Sequence, residues 1–168
     1  MAAKKPPKIR REKTPTEMVA GYARESAPLE RRGHGGPEQL PSGAEIMALD
    51  AEGRAEAAVA CFRSLPTSYE GSFGRRIMLG LLATTLLRAR LPLDEARLFA
   101  MLESAAAAIY PAWGPCDYDR AIVGFLGRRA EAPSPRMKTA IRKLMRRRGT
   151  NYAEDRRIES ACAKLLER

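Results

Sequence analysis

The 168 residues of this chain carry a net charge of +10, and 45% of them are hydrophobic. This is enough length and apolar content for one globular domain with its own core. The longest apolar run, residues 77–87, is too short for a membrane span of about 20 residues, and the charged N-terminus lacks the apolar stretch of a secretory signal. We therefore expect a cytoplasmic protein with no membrane association.

Basic residues are concentrated at the two ends of the chain. Residues 1–42 carry 9 basic and 5 acidic side chains, residues 43–108 carry 7 and 8, and residues 109–168 carry 14 and 7. Such asymmetry is typical of proteins with an anionic partner, above all nucleic acid. Arginine outnumbers lysine 23 to 7, however, and an arginine excess of this kind also follows from genome composition alone.

The three cysteines and the single histidine form no catalytic or metal-binding pattern. Cys61, Cys116 and Cys162 are far apart and no CxxC pair occurs, which predicts reduced thiols rather than a zinc site or a disulfide framework. His34 lies in a glycine-rich stretch with no second ligand near it, and no phosphate-binding loop motif occurs. We therefore predict no catalytic residue, no metal and no cofactor.

Residues 1–41 have the composition of a flexible tail. Six prolines and a cluster of glycines interrupt them, and apolar residues are too sparse to offset the entropy of ordering. One short helix over residues 16–25 is compatible with the pattern. Thr14 or Thr16 would cap it, and Val19 would lie in an apolar patch that docks on the core or on a partner. The rest of this segment is predicted to be a disordered basic tail.

The ordered domain is predicted over residues 42–168 and begins with a helix. Ser42 and Glu45 have the spacing of a capping box, and the helical pattern continues to Leu65. Within it, residues 53–62 resemble the second helix of a tetratricopeptide repeat, although the preceding residues lack that family's aromatic and glycine positions. The apolar face is mostly alanine, which predicts a close approach to a neighbouring helix.

The most apolar stretch, over residues 75–109, predicts two helices at the centre of the fold. Residues 77–87 are apolar on nearly all sides, which is typical of a buried helix. Arg76 and Arg88 flank this run and should reach water. Pro92 ends the helix because proline cannot continue it, and a second amphipathic helix follows. We expect the two to pack on each other as an antiparallel pair with a very short connection.

Three amphipathic helices follow, and each has a start signal in the sequence. They begin near Asp117, Ser134 and Asn151, which are favourable N-cap residues. No segment alternates with the period of a strand. The chain is therefore predicted to be all-α, with about six helices in antiparallel pairs of roughly 40 residues that form a helical bundle or a short HEAT-like stack.

Two groups of residues are candidates for binding. The first is a basic cluster, which either contacts a nucleic acid or another anion or is a solvated face at helix C-termini. Its members are Arg128, Arg129, Arg136, Lys138, Arg142, Lys143, Arg146, Arg147 and Arg148. The second is an aromatic loop, which forms either an interaction surface or a small satellite core. Its members are Tyr110, Trp113, Cys116 and Tyr118.

These observations favour a non-enzymatic helical domain for protein–protein interaction with a basic C-terminal face. The alternative is a sequence-independent nucleic-acid-binding protein that uses the basic helix over residues 136–148. A third hypothesis is a helical accessory region of a larger enzyme whose catalytic residues lie elsewhere. A protein partner is expected first and nucleic acid second, and the sequence predicts no particular oligomeric state.

Overall fold

The computed structural model describes the backbone of residues 14, 15, 17, 19, 46, 48–68, 73–108, 117–146 and 153–168, and their side chains except at 73–75 and 153–155. Six helices have described bounds, residues 15, 17, 19 and 46 are also helical, and no strand occurs among the described residues, so the predicted all-α class is confirmed. The helices are α1 (Ala51–Arg63), α2 (Phe73–Arg88), α3 (Glu95–Ala107), α4 (Asp117–Gly127), α5 (Pro135–Arg146) and α6 (Ala153–Glu167). Along the described ranges, no helix combines the length and apolar content that crossing a bilayer requires.

The odd-numbered helices begin in the same way. Before each of them, a polar side chain accepts a hydrogen bond from a backbone N–H of the first turn, which satisfies an amide that has no partner inside the helix. The acceptor and donor residues are Asp50 and Gly53 (2.7 Å), Asp94 and Arg97 (2.8 Å), and Ser134 and Met137 (3.3 Å). The predicted start of α5 at Ser134, with Pro135 in the first helical position, is confirmed.

The first helix is shorter than the sequence predicts. Ile46, within the helix predicted from Ser42, is helical, but residues 48–50 interrupt the helix and α1 begins at Ala51, because the chain is extended at Asp50 (φ −66°, ψ 179°), which caps α1. The predicted start at Ser42 lies outside the described residues. Gly53 therefore lies in the first turn of α1 rather than in its middle. A Cβ atom at Gly53 would be 3.1 Å from the Asp50 carboxylate oxygen, so the glycine leaves room for the cap.

The six helices pack as a ladder of two layers. In the first layer, α3 contacts α1 on one side and α5 on the other; in the second layer, α4 contacts α2 and α6. The pairs α1–α2, α3–α4 and α5–α6 connect the layers. Contacts between helices that are two apart in the chain are typical of helical-repeat stacks. The described helices thus form an all-α bundle of three stacked helix pairs.

The central helices do not form the pair that the sequence suggests. α2 packs most extensively on α4, and α3 packs most extensively on α5, whereas α2 and α3 share few contacts despite their short connection. The prediction that these two helices form the central antiparallel pair is therefore wrong. The physical reason is that each helix packs more extensively on the helix one repeat away than on its neighbour along the chain.

Helices within a layer run parallel. Between α3 and α5, contacts advance in the same direction along both helices, from Ser134 and Glu95 (2.6 Å) to Lys143 and Glu103 (3.0 Å). The end of α1 lies against the start of α4, where the rings of Phe62 and Tyr118 meet edge to face at 6.5 Å. The two layers therefore run in opposite directions, as the prediction of antiparallel pairs requires.

α2 is buried on three sides and exposed on the fourth. Leu79 and Leu86 are fully buried, but Ile77 and Leu81 are 41% and 38% exposed, so the prediction of burial all round is wrong for this face. The reason is that α1 and α4 cover only part of the helix circumference. Arg76, which was expected to reach water, is buried at the start of the helix.

The described part of the N-terminal segment contacts the core. Thr14 and Glu17 form a reciprocal capping box, with backbone-to-side-chain distances of 2.9 and 3.2 Å. Val19, two residues further along, is fully buried in the main core cluster. Of the two docking options predicted for this short helix, the structure therefore shows the core. The domain boundary at residues 41 and 42 stays a prediction.

Candidate binding surface

Charge is distributed unequally over the three helix pairs. The first pair, residues 51–88, carries five basic and three acidic residues, and the second pair, residues 95–127, carries two basic and four acidic residues. The third pair, residues 135–168, carries eleven basic and four acidic residues, a net charge of +7. The positive charge of the folded part therefore lies mainly at one end of the stack.

Two arginines of the predicted basic cluster bind backbone carbonyls. The Arg128 guanidinium donates to the Leu87 carbonyl at 2.5 Å, and the Arg129 guanidinium donates to the Leu93 carbonyl at 2.8 Å. Arg129 also forms an ion pair with Glu131. These carbonyls lie at or beyond the C-terminal end of α2, where the helix no longer satisfies them. Both arginines thus stabilise the contact between the second pair and the first.

Two further cations of the cluster face α3. The Arg136 guanidinium carbon lies 3.8 Å from the centre of the Phe99 ring, a cation–π contact. The Lys143 ammonium donates to both carboxylate oxygens of Glu103 at 3.0 Å. Because α3 supplies the partner in each case, these side chains connect two helices of the first layer.

The remaining described members of the cluster form a free row on α5. The side chains of Lys138, Arg142 and Arg146 make no hydrogen bond, ion pair or ring contact with any residue that the structure describes. They are spaced four residues apart, so successive side chains lie on one flank with a rise of about 6 Å. Arg147 and Arg148 lie outside the described residues. We call Lys138, Arg142 and Arg146 the free cation row.

The local sequence explains why this row faces outwards. The buried stripe of α5 consists of Met137, Ala140, Ile141 and Leu144. Arg136 and Lys143 lie on the flank of this stripe that faces α3. The free cation row starts on the other flank at Lys138 and reaches the outward side of the helix at Arg146. The row is therefore held by a helix whose orientation is fixed by its apolar side.

The aromatic loop is only partly described. Tyr110, Trp113 and Cys116 lie outside the described residues, and their predicted roles stay predictions. Tyr118 is 1% exposed and packs against Phe62 in the core, so it is not available to a partner in this structure. The sequence signal was ambiguous because an aromatic residue in the first turn of an amphipathic helix faces either the core or the solvent.

The described thiols are poorly suited to catalysis. Cys61 and Cys162 are free and fully buried. Burial raises the pKa of the Cys61 thiol from an ordinary value of 9.0 to about 12, while a backbone hydrogen bond lowers it slightly. A thiol with this pKa is protonated at neutral pH and is a weak nucleophile.

Acidic and thiol side chains are also dispersed. No group of three or more His, Cys, Asp or Glu residues with metal-binding geometry occurs in the described part of the chain. Asp117 pairs with Arg120 at 3.5 Å and opens α4, and Asp119 is buried in the same helix turn. The free cation row is thus the functional candidate that the described residues support best.

Comparisons with protein-family models, with curated proteins and with solved structures find no match to this chain. The resemblance of residues 53–62 to a tetratricopeptide repeat therefore does not extend to a family assignment. The features that bear on function are therefore the helix stack and the side chains on its surface.

Proposed function

We propose that this chain is a non-enzymatic helical-repeat scaffold that binds a protein partner. Support comes from the ladder of three helix pairs, because such stacks present rows of parallel helices as extended binding faces. The buried free thiols Cys61 and Cys162 are compatible with the reducing conditions of the cytoplasm, which is where we place the protein.

The free cation row is the observation that carries this proposal. Arg128, Arg129, Arg136 and Lys143 each have a partner within the fold, whereas the row has none among the described residues. Side chains that the fold does not use, held in a fixed row on a packed helix, are suited to contacts with a second molecule.

The proposal is tested by capture followed by reconstitution. The immobilised protein is incubated with a nuclease-treated extract of its host, retained proteins are identified by mass spectrometry, and each is purified and titrated by calorimetry. We expect at least one protein to bind the purified chain in a fixed stoichiometry. If nothing is retained above a blank support, or if no retained protein binds after purification, the scaffold proposal is wrong.

Nucleic acid is the second candidate partner, favoured by the +7 charge of the third helix pair. Since Lys143 is held by Glu103, three described cations remain on α5 for phosphate contacts. Counterion release then predicts that log K falls with log salt at a slope of about −2.7 on duplex DNA, or −0.9 per phosphate. A slope close to zero in filter binding would exclude this candidate.

A further inference from the structure

We infer that the free cation row is a binding site for an acidic peptide segment, whose carboxylates repeat along one face at about 6 Å. This inference rests on the proposed scaffold function, since it names the chemistry of the partner. It assigns a role to Lys138, Arg142 and Arg146 that the stability of the fold does not require.

The spacing of the row matches that of carboxylates on a peptide. Four residues of α-helix rise about 6 Å, so the Cα atoms of the row cover about 12 Å along α5. Glutamates at positions i, i+4 and i+8 of a partner helix have the same spacing. Alternate residues of an extended peptide repeat at about 6.7 Å. In either conformation, three carboxylates on one face of the partner can meet three cations.

The row is ready to bind without prior rearrangement. α5 carries five basic residues and no acidic residue, so no carboxylate of its own helix competes for the row. The nearest acidic side chains of α3 are already engaged, Glu95 by the Ser134 hydroxyl and Glu103 by Lys143. Among the side chains that the structure describes, an incoming carboxylate therefore displaces no partner from the row.

The charge of the neighbouring helices favours a peptide over a nucleic acid. The other two helices of the first layer with their caps, residues 50–63 and 94–107, carry six acidic and three basic residues. Packed helices lie 8–10 Å apart, which is within the Debye length of about 10 Å at 0.1 M salt. A broad polyanion over the layer would meet this acidic surface, whereas a peptide about 10 Å wide can lie over α5 alone.

The test uses fluorescence anisotropy with the full chain and two synthetic helical peptides of identical composition. One peptide has glutamate at positions 1, 5 and 9 of its labelled helix, and the other has the same three glutamates on three different faces. The test variant is K138Q/R142Q/R146Q. The control variant is R63Q/R88Q/R90Q, which removes three exposed cations from the first half of the stack, where they have no partner among the described residues.

We expect the aligned peptide to bind the wild type and the control variant equally. Loss of three solvent-exposed ion pairs should weaken its binding to the test variant by roughly 3- to 150-fold. A cooperative thermal transition with a midpoint close to or above that of the wild type shows that each variant is folded. Equal binding of the aligned peptide to all three proteins, or equal binding of the two peptides to the wild type, overturns the inference. So does tighter binding of a 12-nucleotide single strand than of the aligned peptide.

These outcomes are separable from the scaffold proposal. If a purified host partner binds both variants as well as the wild type, the scaffold proposal stands and the inferred site is wrong. If the aligned peptide binds at the row but no host protein is captured, the site stands and the scaffold proposal is wrong.

Discussion

The first two helix pairs and the third pair differ in how many large apolar side chains they bury and in their net charge. Of the twelve largest fully buried side chains among the described residues, only those of Ile141 and Leu144 belong to the third pair. The third pair instead has a net charge of +7, against +2 and −2 for the others. Apolar burial, the main source of stability, is thus concentrated in one part of the stack and net positive charge in the other.

Position in the stack explains the difference between the second pair and the third. α3 lies between α1 and α5, and α4 lies between α2 and α6, so the second pair has a neighbouring pair on both sides. Among the described helices, the third pair has a neighbour on one side only. Its outer flank contributes nothing to the core and can carry the free cation row at little cost to folding. The comparison therefore predicts large stability effects in the first two pairs and small ones at the row.

The largest effect is expected at Leu86. Replacing this fully buried side chain of α2 with alanine should lower the free energy of unfolding by about 2–5 kcal/mol, from lost burial and the cavity left behind. Leu81 of the same helix is 38% exposed, and L81A should cost less than about 1 kcal/mol. Urea denaturation measures both. Equal losses at the two positions would mean that α2 is not packed between α1 and α4 as described.

A smaller loss is expected where α2 and α4 approach most closely. A Cβ atom at Gly80 would lie 3.0 Å from the Asp117 Cβ, so G80A should push the helices apart and cost about 1–3 kcal/mol. Gly124, on the exposed side of α4, has only the flexible Arg128 side chain within 4 Å. G124A should therefore stabilise by about 0.5–1 kcal/mol through helix propensity. Thermal unfolding distinguishes the two signs.

The sequence predicts the elements of this stack better than their arrangement. The amphipathic character and the Ser134 cap of α5 are predicted correctly, because both depend on residues within one turn or one helix. The packing of α2 on α4 was missed, since nothing local in either helix selects a partner about 40 residues away. The close contact at Gly80 is not predicted for the same reason.

The sequence contains arginines that repeat at a fixed spacing, but their meaning is recognised only with the structure. Arg88, Arg128 and Arg168 are spaced 40 residues apart at the C-terminal ends of α2, α4 and α6. Arg128 reaches back to the end of α2, and Arg168 donates to the Arg129 and Ala130 carbonyls, just beyond α4. An isolated arginine in so basic a chain carries no such meaning, so sequence alone could not separate engaged cations from free ones.

Alkaline pH should weaken the first pair through Cys61. Its thiol donates to the Leu79 carbonyl at 3.2 Å, and burial raises its pKa from 9.0 to about 12. The unfolded chain therefore loses the thiol proton first. The stabilising effect of the buried neutral thiol is complete below about pH 9 and declines as the pH rises towards 12, by about 1.4 kcal/mol per unit.

The Cys61 prediction is measured as a difference between proteins. The free energies of unfolding of the wild type and of C61A are measured by urea denaturation at pH 8 and pH 10. Because both proteins contain the same lysines and tyrosines, the effect of their titration cancels in the difference between the two proteins. The wild type should lose more stability than C61A over this interval. The same loss in both proteins would show that Cys61 is accessible to solvent.

The arginine contacts between repeats should have a moderate effect. R128Q removes the charged donor from the Leu87 carbonyl and should cost about 1 kcal/mol, because the contact is only partly buried. R88Q changes the residue at the equivalent position of the first pair, which has no partner among the described residues, and should change stability by less than about 0.5 kcal/mol. If urea denaturation gives R128Q and R88Q the same free energy of unfolding, the contact at the end of α2 does not stabilise the stack.

The smallest effect, and the one that tests the comparison most sharply, is expected at Arg142. It lies between Lys138 and Arg146, four residues from each, and like charges at this spacing destabilise a helix by about 0.2–0.5 kcal/mol per pair. R142Q should therefore raise stability by about 0.4–1 kcal/mol, or roughly 1–4 °C in thermal midpoint. The gain should vanish at 1 M salt, where the Debye length is about 3 Å.

R136Q, which loses the contact with Phe99, should instead lower stability by about 0.5–1 kcal/mol. A loss at Arg142 that matches the loss at Arg136 would mean that the row has a partner within the fold, and the third helix pair would then use its charge for stability rather than for binding.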